Sequence, residues 1–139
     1  MKNIRYSLSE IDQVAQQLLS SLPTRCVVLI EGDMGVGKTT LMSALLHQCG
    51  VEEVSSPTYS VVNEYSASDG RKIHHYDLYR IQSVDELMEL GFMDLLEQAD
   101  WHFIEWPNVG APFYPNNVLK WNLHLSENGE RTIEWVTSE

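Results

Sequence analysis

Cys26-Val27-Val28-Leu29-Ile30-Glu31-Gly32-Asp33-Met34-Gly35-Val36-Gly37-Lys38-Thr39-Thr40 is the stretch that decides the fold. Its first five residues are an apolar run of strand length. Beyond it Leu41, Met42, Leu45, Leu46 and Cys49 recur at helical spacing, and Gly50 is placed to end that helix. Between strand and helix, Gly32, Gly37, Lys38 and Thr39 satisfy G-x-x-x-x-G-K-[ST]. Strand, glycine-rich loop and helix in this order are the setting of a phosphate-binding loop. Glycines let the backbone curl so that N–H groups point inward, at the start of a helix whose first donors have no intrahelical partner. A polyphosphate supplies the missing acceptors, Lys38 reaches its terminal phosphates, and the Thr39 hydroxyl is suited to magnesium. The stretch predicts a nucleotide site.

Composition sets the bounds. A chain of 139 residues with 43% hydrophobic content makes one ordinary globular domain, expected to span 1–139. No apolar run is long enough to cross a bilayer, and residues 1–20 lack the basic end and cleavage site of a signal peptide. Cys26 falls in the predicted buried strand and Cys49 on the apolar face of the following helix, so both read as packed thiols in a reducing compartment. A cytoplasmic location with no membrane partner is the expectation. Nine basic residues face twenty acidic ones, for a formal charge of −11. That argues against an independent, nonspecific grip on a nucleic-acid backbone, while leaving room for docking on a partner that holds RNA.

Outward from the loop, residues 7–22 predict an opening helix. Ser7 with Glu10, or Ser9 with Asp12, would cap it, Ile11, Val14, Ala15, Leu18, Leu19 and Leu22 would form its buried face, and Pro23 would end it. Tyr59–Tyr65 and Lys72–Tyr76, joined by the polar turn Ser66–Gly70, predict an antiparallel pair and hence a mixed sheet. Short helices are expected at Val84–Leu90 and Phe92–Gln98, divided by Gly91. A central strand is expected at Trp101–Ile104, and an exposed loop where Pro107, Pro112 and Pro115 cluster. Leu119, Trp121, Leu123 and Leu125 alternate, Asn128-Gly129 signals a hairpin, and Ile133 and Trp135 resume the alternation. The fold class is α/β: a three-layer P-loop domain with a mixed sheet and added antiparallel strands.

Magnesium nucleotide chemistry needs an acid at a strand end, and two qualify. Asp77 follows His75-Tyr76 and Glu105 follows Phe103-Ile104, each at the C-terminal edge where sites of α/β folds gather. One would bind metal while the other orients or deprotonates the attacking water. Ser55-Ser56-Pro57-Thr58 is placed to face the terminal phosphate and to respond to nucleotide state. Arg131, opening the last strand, is a candidate for base or phosphate contact. The five histidines and two cysteines make no zinc pattern, and strand alternation sends His74 and His75 to opposite faces.

Gly32–Thr40, Ser56-Pro57-Thr58-Tyr59, His75-Tyr76-Asp77-Leu78-Tyr79-Arg80 and Ile104-Glu105-Trp106-Pro107, taken together, resemble the small bacterial P-loop ATPase subunit of the tRNA threonylcarbamoyladenosine biosynthesis machinery. The resemblance covers nearly the whole chain. It implies weak ATPase activity with ATP and Mg2+. It also implies work beside a two-protein synthase heterodimer that transfers threonylcarbamoyl to tRNA adenosine next to the anticodon, with tRNA met only through that complex and the chain monomeric alone. Met34, Gly35, Val36, Gly37, Lys38, Thr39 and Thr40 would wrap the nucleotide, with Thr39 and Glu105 on the metal. Lys38, Asp77, Glu105 and Thr58 would serve hydrolysis, Asp77 also touching nucleotide. By offset, Leu8 and Arg131 fall near the adenine, and Trp106 lies beside the site or the partner surface. Met34 and Val36 stand where leucine and alanine are common, and Asn108 where an acid is common. A small-molecule or nucleotide kinase is the main alternative, set back by there being just five arginines in the chain to build a lid. A nucleotide-gated adaptor is the other, and no Asn-Lys-x-Asp stretch supports a GTPase.

Overall fold

The apolar run at 26–30 lies in the middle of the sheet. A computed structural model describes residues 2–51 and 61–136. In chain order it contains β1 (Lys2–Tyr6), α1 (Ile11–Ser20), β2 (Cys26–Glu31), α2 (Lys38–Gln48), β3 (Val62–Ser66), β4 (Lys72–Asp77), α3 (Val84–Leu90), α4 (Phe92–Leu95), β5 (Trp101–Glu105), β6 (Leu119–Leu125) and β7 (Arg131–Val136). Strand order is β1-β7-β6-β2-β5-β4-β3. The inner four, β6, β2, β5 and β4, are parallel; on one edge β7 pairs antiparallel with β6 and β1 antiparallel with β7, and on the other β3 pairs antiparallel with β4. The mixed sheet with added antiparallel strands is as expected.

Burial on both faces explains why β2 reads as a continuous apolar run rather than an alternating one. Val28 and Ile30 face a layer made by α1 and α2, with Leu18, Leu41, Leu45, Phe103 and Trp121. Val27 and Leu29 face the opposite layer, made by α3, α4 and the segment that follows β5, with Tyr76, Leu87, Phe92 and Ile104. Three layers result. Each fully buried leucine contributes about 1.5–3 kcal/mol relative to exposure.

Four sequence expectations need correction. The chain opens with a strand, not a helix: β1 pairs antiparallel with β7, Ile4 opposite Ile133 and Tyr6 opposite Arg131. The predicted helix 7–22 is a 3-10 turn at Leu8–Glu10 followed by α1, although the Ser7 backbone N–H does donate to the Glu10 carboxylate at 3.0 Å. The helix after Gly91 is one turn, Phe92–Leu95, rather than Phe92–Gln98. The proline cluster is an exposed loop only in part: Pro107–Phe113 is a 3-10 helix with Pro107 and Gly110 buried, whereas Pro112 and Pro115 are exposed and Pro115 lies in the irregular segment that follows. Proline suits the first position of a helix, where its missing N–H would have no partner, and the Tyr114 hydroxyl donates to the Pro107 carbonyl at 2.7 Å.

Alternation separates the histidines as expected. His74 turns to the α3–α4 layer, where the Tyr76 hydroxyl lies 3.0 Å from His74 Nδ1 and 2.7 Å from His102 Nδ1. His75 turns the other way, to Glu105. Cys26 and Cys49 are free and half-buried, and burial pushes the Cys26 thiol up to about 11. Among the described residues no helix is long and apolar enough to cross a membrane.

Candidate nucleotide-binding site

The glycine loop leaves the C-terminal end of β2 and enters α2 at Gly37, whose φ of 103° is left-handed. That geometry favours glycine, and the approach of a neighbour demands it: a Cβ here would lie 2.6 Å from Arg131 Nε. Arg131, the first residue of β7, donates from Nε to the Val36 carbonyl at 3.1 Å and so ties the loop to the sheet edge. Gly32 is tight as well, because a Cβ there would meet the Leu123 carbonyl oxygen at 2.9 Å.

Lys38 begins α2 and is 6% exposed. Its Nζ donates to the Gly32 carbonyl at 2.6 Å and lies 3.5 Å from the centre of the Trp106 ring. Burial lowers its pKa, and Glu105, Asp77 and Asp33 oppose that shift. Trp106 holds its ring there in a left-handed backbone conformation (φ 53°), the one non-glycine residue with positive φ among those described. Its other neighbour is Tyr79, ring centre to ring centre 4.9 Å.

The parallel pairing of β4 with β5 puts Asp77 directly opposite Glu105, and β5 with β2 puts Glu105 opposite Ile30, one residue before the loop's strand ends. Two carboxylates therefore stand side by side at the strand ends facing the loop. The Asp77 Oδ1 accepts from the Tyr79 N–H at 3.0 Å. Glu105 is 3% exposed, with His75 Nε2 2.5 Å from its Oε2. The loop and the two carboxylates meet in one cleft of about 330 Å³, walled by Met34, Gly35, Gly37, Lys38, Thr39, Thr40, Asp77, Tyr79, Glu105, Trp106 and Arg131.

Comparison with known proteins gives the lineage. The family described as Threonylcarbamoyl adenosine biosynthesis protein TsaE matches residues 6–133. The chain belongs to the TsaE family. Relatives bearing the name tRNA threonylcarbamoyladenosine biosynthesis protein TsaE include that of Rickettsia conorii, 33% identical over 95% of this chain and 75% of the relative. That of Haemophilus influenzae is 31% identical over 94% of this chain and 84% of the relative. The solved structure "Crystal structure of Bacillus subtilus YdiB" superposes with a TM-score of 0.75 over 99% of this chain and 87% of that one, at 21% identity, which speaks to fold alone. The first-noted resemblance and the three-layer fold thus agree with independent comparison.

Against this TsaE frame, the residues singled out from sequence separate into three groups. Met34, Gly35, Gly37, Lys38, Thr39, Thr40, Asp77, Glu105 and Arg131 share the cleft; Val36 is buried at 4% exposure and meets it only through its carbonyl's bond to Arg131. Leu8 lies outside the cleft wall, 51% exposed on the turn after β1. Thr58, with Ser55-Ser56-Pro57, falls outside the described residues. Sequence reasoning passed over Tyr79 as a site residue and did not tie His75 to Glu105. The signals available were Tyr79's place two residues beyond Asp77 and His75's place on the same strand face as Asp77.

Proposed function

We propose that this chain binds magnesium ATP in the cleft, hydrolyses it weakly, and by that cycle supports repeated threonylcarbamoyl transfer to tRNA adenosine beside the anticodon. The transfer itself belongs to a two-protein synthase heterodimer, through which the chain meets tRNA. The convergence of Lys38, Arg131 and the glycine loop with Asp77 and Glu105 on one cleft carries the nucleotide half of this reading. The family's description supports the tRNA half.

The residues present suit the ligands. A lysine kept in burial beside a left-handed glycine at a helix start is a cradle for an anion. Magnesium is commonly held by one or two protein oxygens plus phosphates and water. Thr39 and Glu105 would hold the metal, which when bound neutralises phosphate charge. Lys38 would exchange the Gly32 carbonyl and Trp106 ring for phosphate oxygens. Asp77 would orient the attacking water and take its proton. Arg131 would brace the loop through Val36 and, with Leu8, border the adenine; Thr58 would respond to nucleotide state. The chain is read as a cytoplasmic monomer that acts when docked.

The test is ATP hydrolysis by the purified chain, alone and with the reconstituted heterodimer and tRNA, with modified adenosine followed in parallel. Stimulated hydrolysis together with repeated rounds of modification is expected. Unchanged hydrolysis and no effect on modification would overturn the reading and turn attention to phosphate acceptors of a kinase.

A further inference from the structure

Glu105 is not free to turn in the cleft wall. His75 Nε2 lies 2.5 Å from Glu105 Oε2, and both residues are 3% exposed. The register explains the meeting: β4 places His75 opposite Phe103 and Asp77 opposite Glu105, and His75 and Asp77 share a strand face because they are two apart. Glu105 therefore has a buried imidazole on its interior side and Asp77 beside it at the mouth. His75 is absent from the cleft wall, so any effect on bound nucleotide must pass through Glu105.

A buried ionisable pair is weak ground for stability, since well-packed apolar residues often replace one at no loss. Its physical consequence is directional. An unrestrained carboxylate rotates about its Cγ–Cδ bond, whereas a hydrogen bond on Oε2 holds the plane still. Partners of this kind behind a metal-ligating group set its orientation and basicity. We propose that His75 is a positioning residue: its imidazole fixes Oε2 inward so that Oε1 of Glu105 is presented to magnesium in the cleft. This rests on the magnesium ATP reading above.

The experiment compares wild type, His75→Phe, His75→Gln and Glu105→Gln, each in the full chain. Two quantities are read: the magnesium concentration that half-saturates calorimetric ATP binding, and kcat against KM for hydrolysis. His75→Phe removes the donor, and the expected result is about a 10–100-fold rise in the magnesium requirement or fall in kcat, with ATP affinity at saturating magnesium nearly unchanged. His75→Gln keeps an N–H donor and should recover part of the loss. In a Glu105→Gln background, His75→Phe should have little further effect. Wild-type magnesium dependence and kcat in His75→Phe would overturn the proposal, as would an equal loss in both Glu105 backgrounds. Should His75→Phe fail to fold, as seen by circular dichroism, His75→Leu, which is smaller and also lacks a donor, takes its place in the same cycle with Glu105→Gln. A wild-type chain that binds no magnesium nucleotide overturns the underlying reading, and that result is visible before any variant is made.

Discussion

Lys38→Met separates what the site does for the fold from what it does for a ligand. Lys38 is 6% exposed, hydrogen-bonded to the Gly32 carbonyl and set against Trp106. A hydrogen bond from a charged donor contributes about 1.5–3 kcal/mol, and a desolvated cation–π contact about 2 kcal/mol. Those gains, of order 4 kcal/mol together, oppose a desolvation cost of several kcal/mol for a buried ammonium. The balance shows in the pKa: burial lowers it even with Glu105, Asp77 and Asp33 pulling the other way. The charge is thus held slightly against the preference of the fold. Methionine keeps the length and apolar stem, and Gly32 is half-exposed, so water can replace the lost donor. The nucleotide-free variant is expected to unfold within about 1 kcal/mol of wild type, or roughly 4 °C in Tm. ATP binding, measured by equilibrium dialysis, should be lost. A fall of about 8 °C or more would mean the lysine's contacts stabilise the empty fold outright and would refute the reasoning. Retained ATP affinity would remove Lys38 from the site.

Gly37→Ala forces a side chain into left-handed backbone and against Arg131 Nε at 2.6 Å. It should cost about 1–2 kcal/mol from the backbone alone, with a lower Tm and at least tenfold weaker ATP binding. Unchanged melting and affinity would show that the loop relaxes around the methyl group. Asp77→Asn and Glu105→Gln should leave nucleotide bound but lower single-turnover hydrolysis by about 10²–10⁴-fold in whichever variant loses the base; normal rates in both would displace hydrolysis from this strand edge. For His102, burial first and then His74 lower the pKa to about 4 from an ordinary 6.5. The unfolded chain therefore binds the proton first, so stability is full above about 6.5 and falls as pH drops toward 4. Between pH 7 and 4.5 the loss from this group is about 2–3 kcal/mol. Urea unfolding of His102→Gln should be flatter with pH by that amount, and parallel curves would refute it.

The phosphate loop was legible because its information is local: four fixed residues within eight positions, with an apolar run before and a helical period after. The antiparallel pair β3–β4 and the closing hairpin were legible for the same reason, each being two short patterns and a turn. β1 was not. Lys2, Asn3 and Arg5 are exposed, and the strand owes its existence to pairing with β7 more than a hundred residues away. The proline segment misled because proline argues against strands and long helices, but not against a 3-10 turn packed on Phe92 through Phe113 and Tyr114. For the site, the candidates Asp77 and Glu105 followed from strand ends, but their direct opposition did not. Parallel register between β4 and β5 is set by the whole sheet, and the His75–Glu105 contact depends on it. Trp106 on Lys38 depends further on one backbone angle that no residue pattern encodes.

That register has an electrostatic consequence for the proposed activity. The side chains of the cleft wall carry Lys38 and Arg131 as cations and Asp77 and Glu105 as carboxylates, two against two. They belong to a chain of formal charge −11. A polyphosphate entering such a site gains from the loop's N–H groups, but gains nothing from net side-chain charge. The carboxylates become favourable only when a divalent cation stands between them and the phosphates, inverting the local sign. An acid pair beside a phosphate loop would otherwise be a defect, weakening the binding that the loop provides. On the proposed reading, Asp77 and Glu105 would change from repulsive walls into base and ligand once magnesium is bound, and the buried His75 would keep Glu105 aimed. If magnesium nucleotide binds as proposed, nucleotide affinity and metal affinity would be one coupled quantity, each raising the other by the same factor.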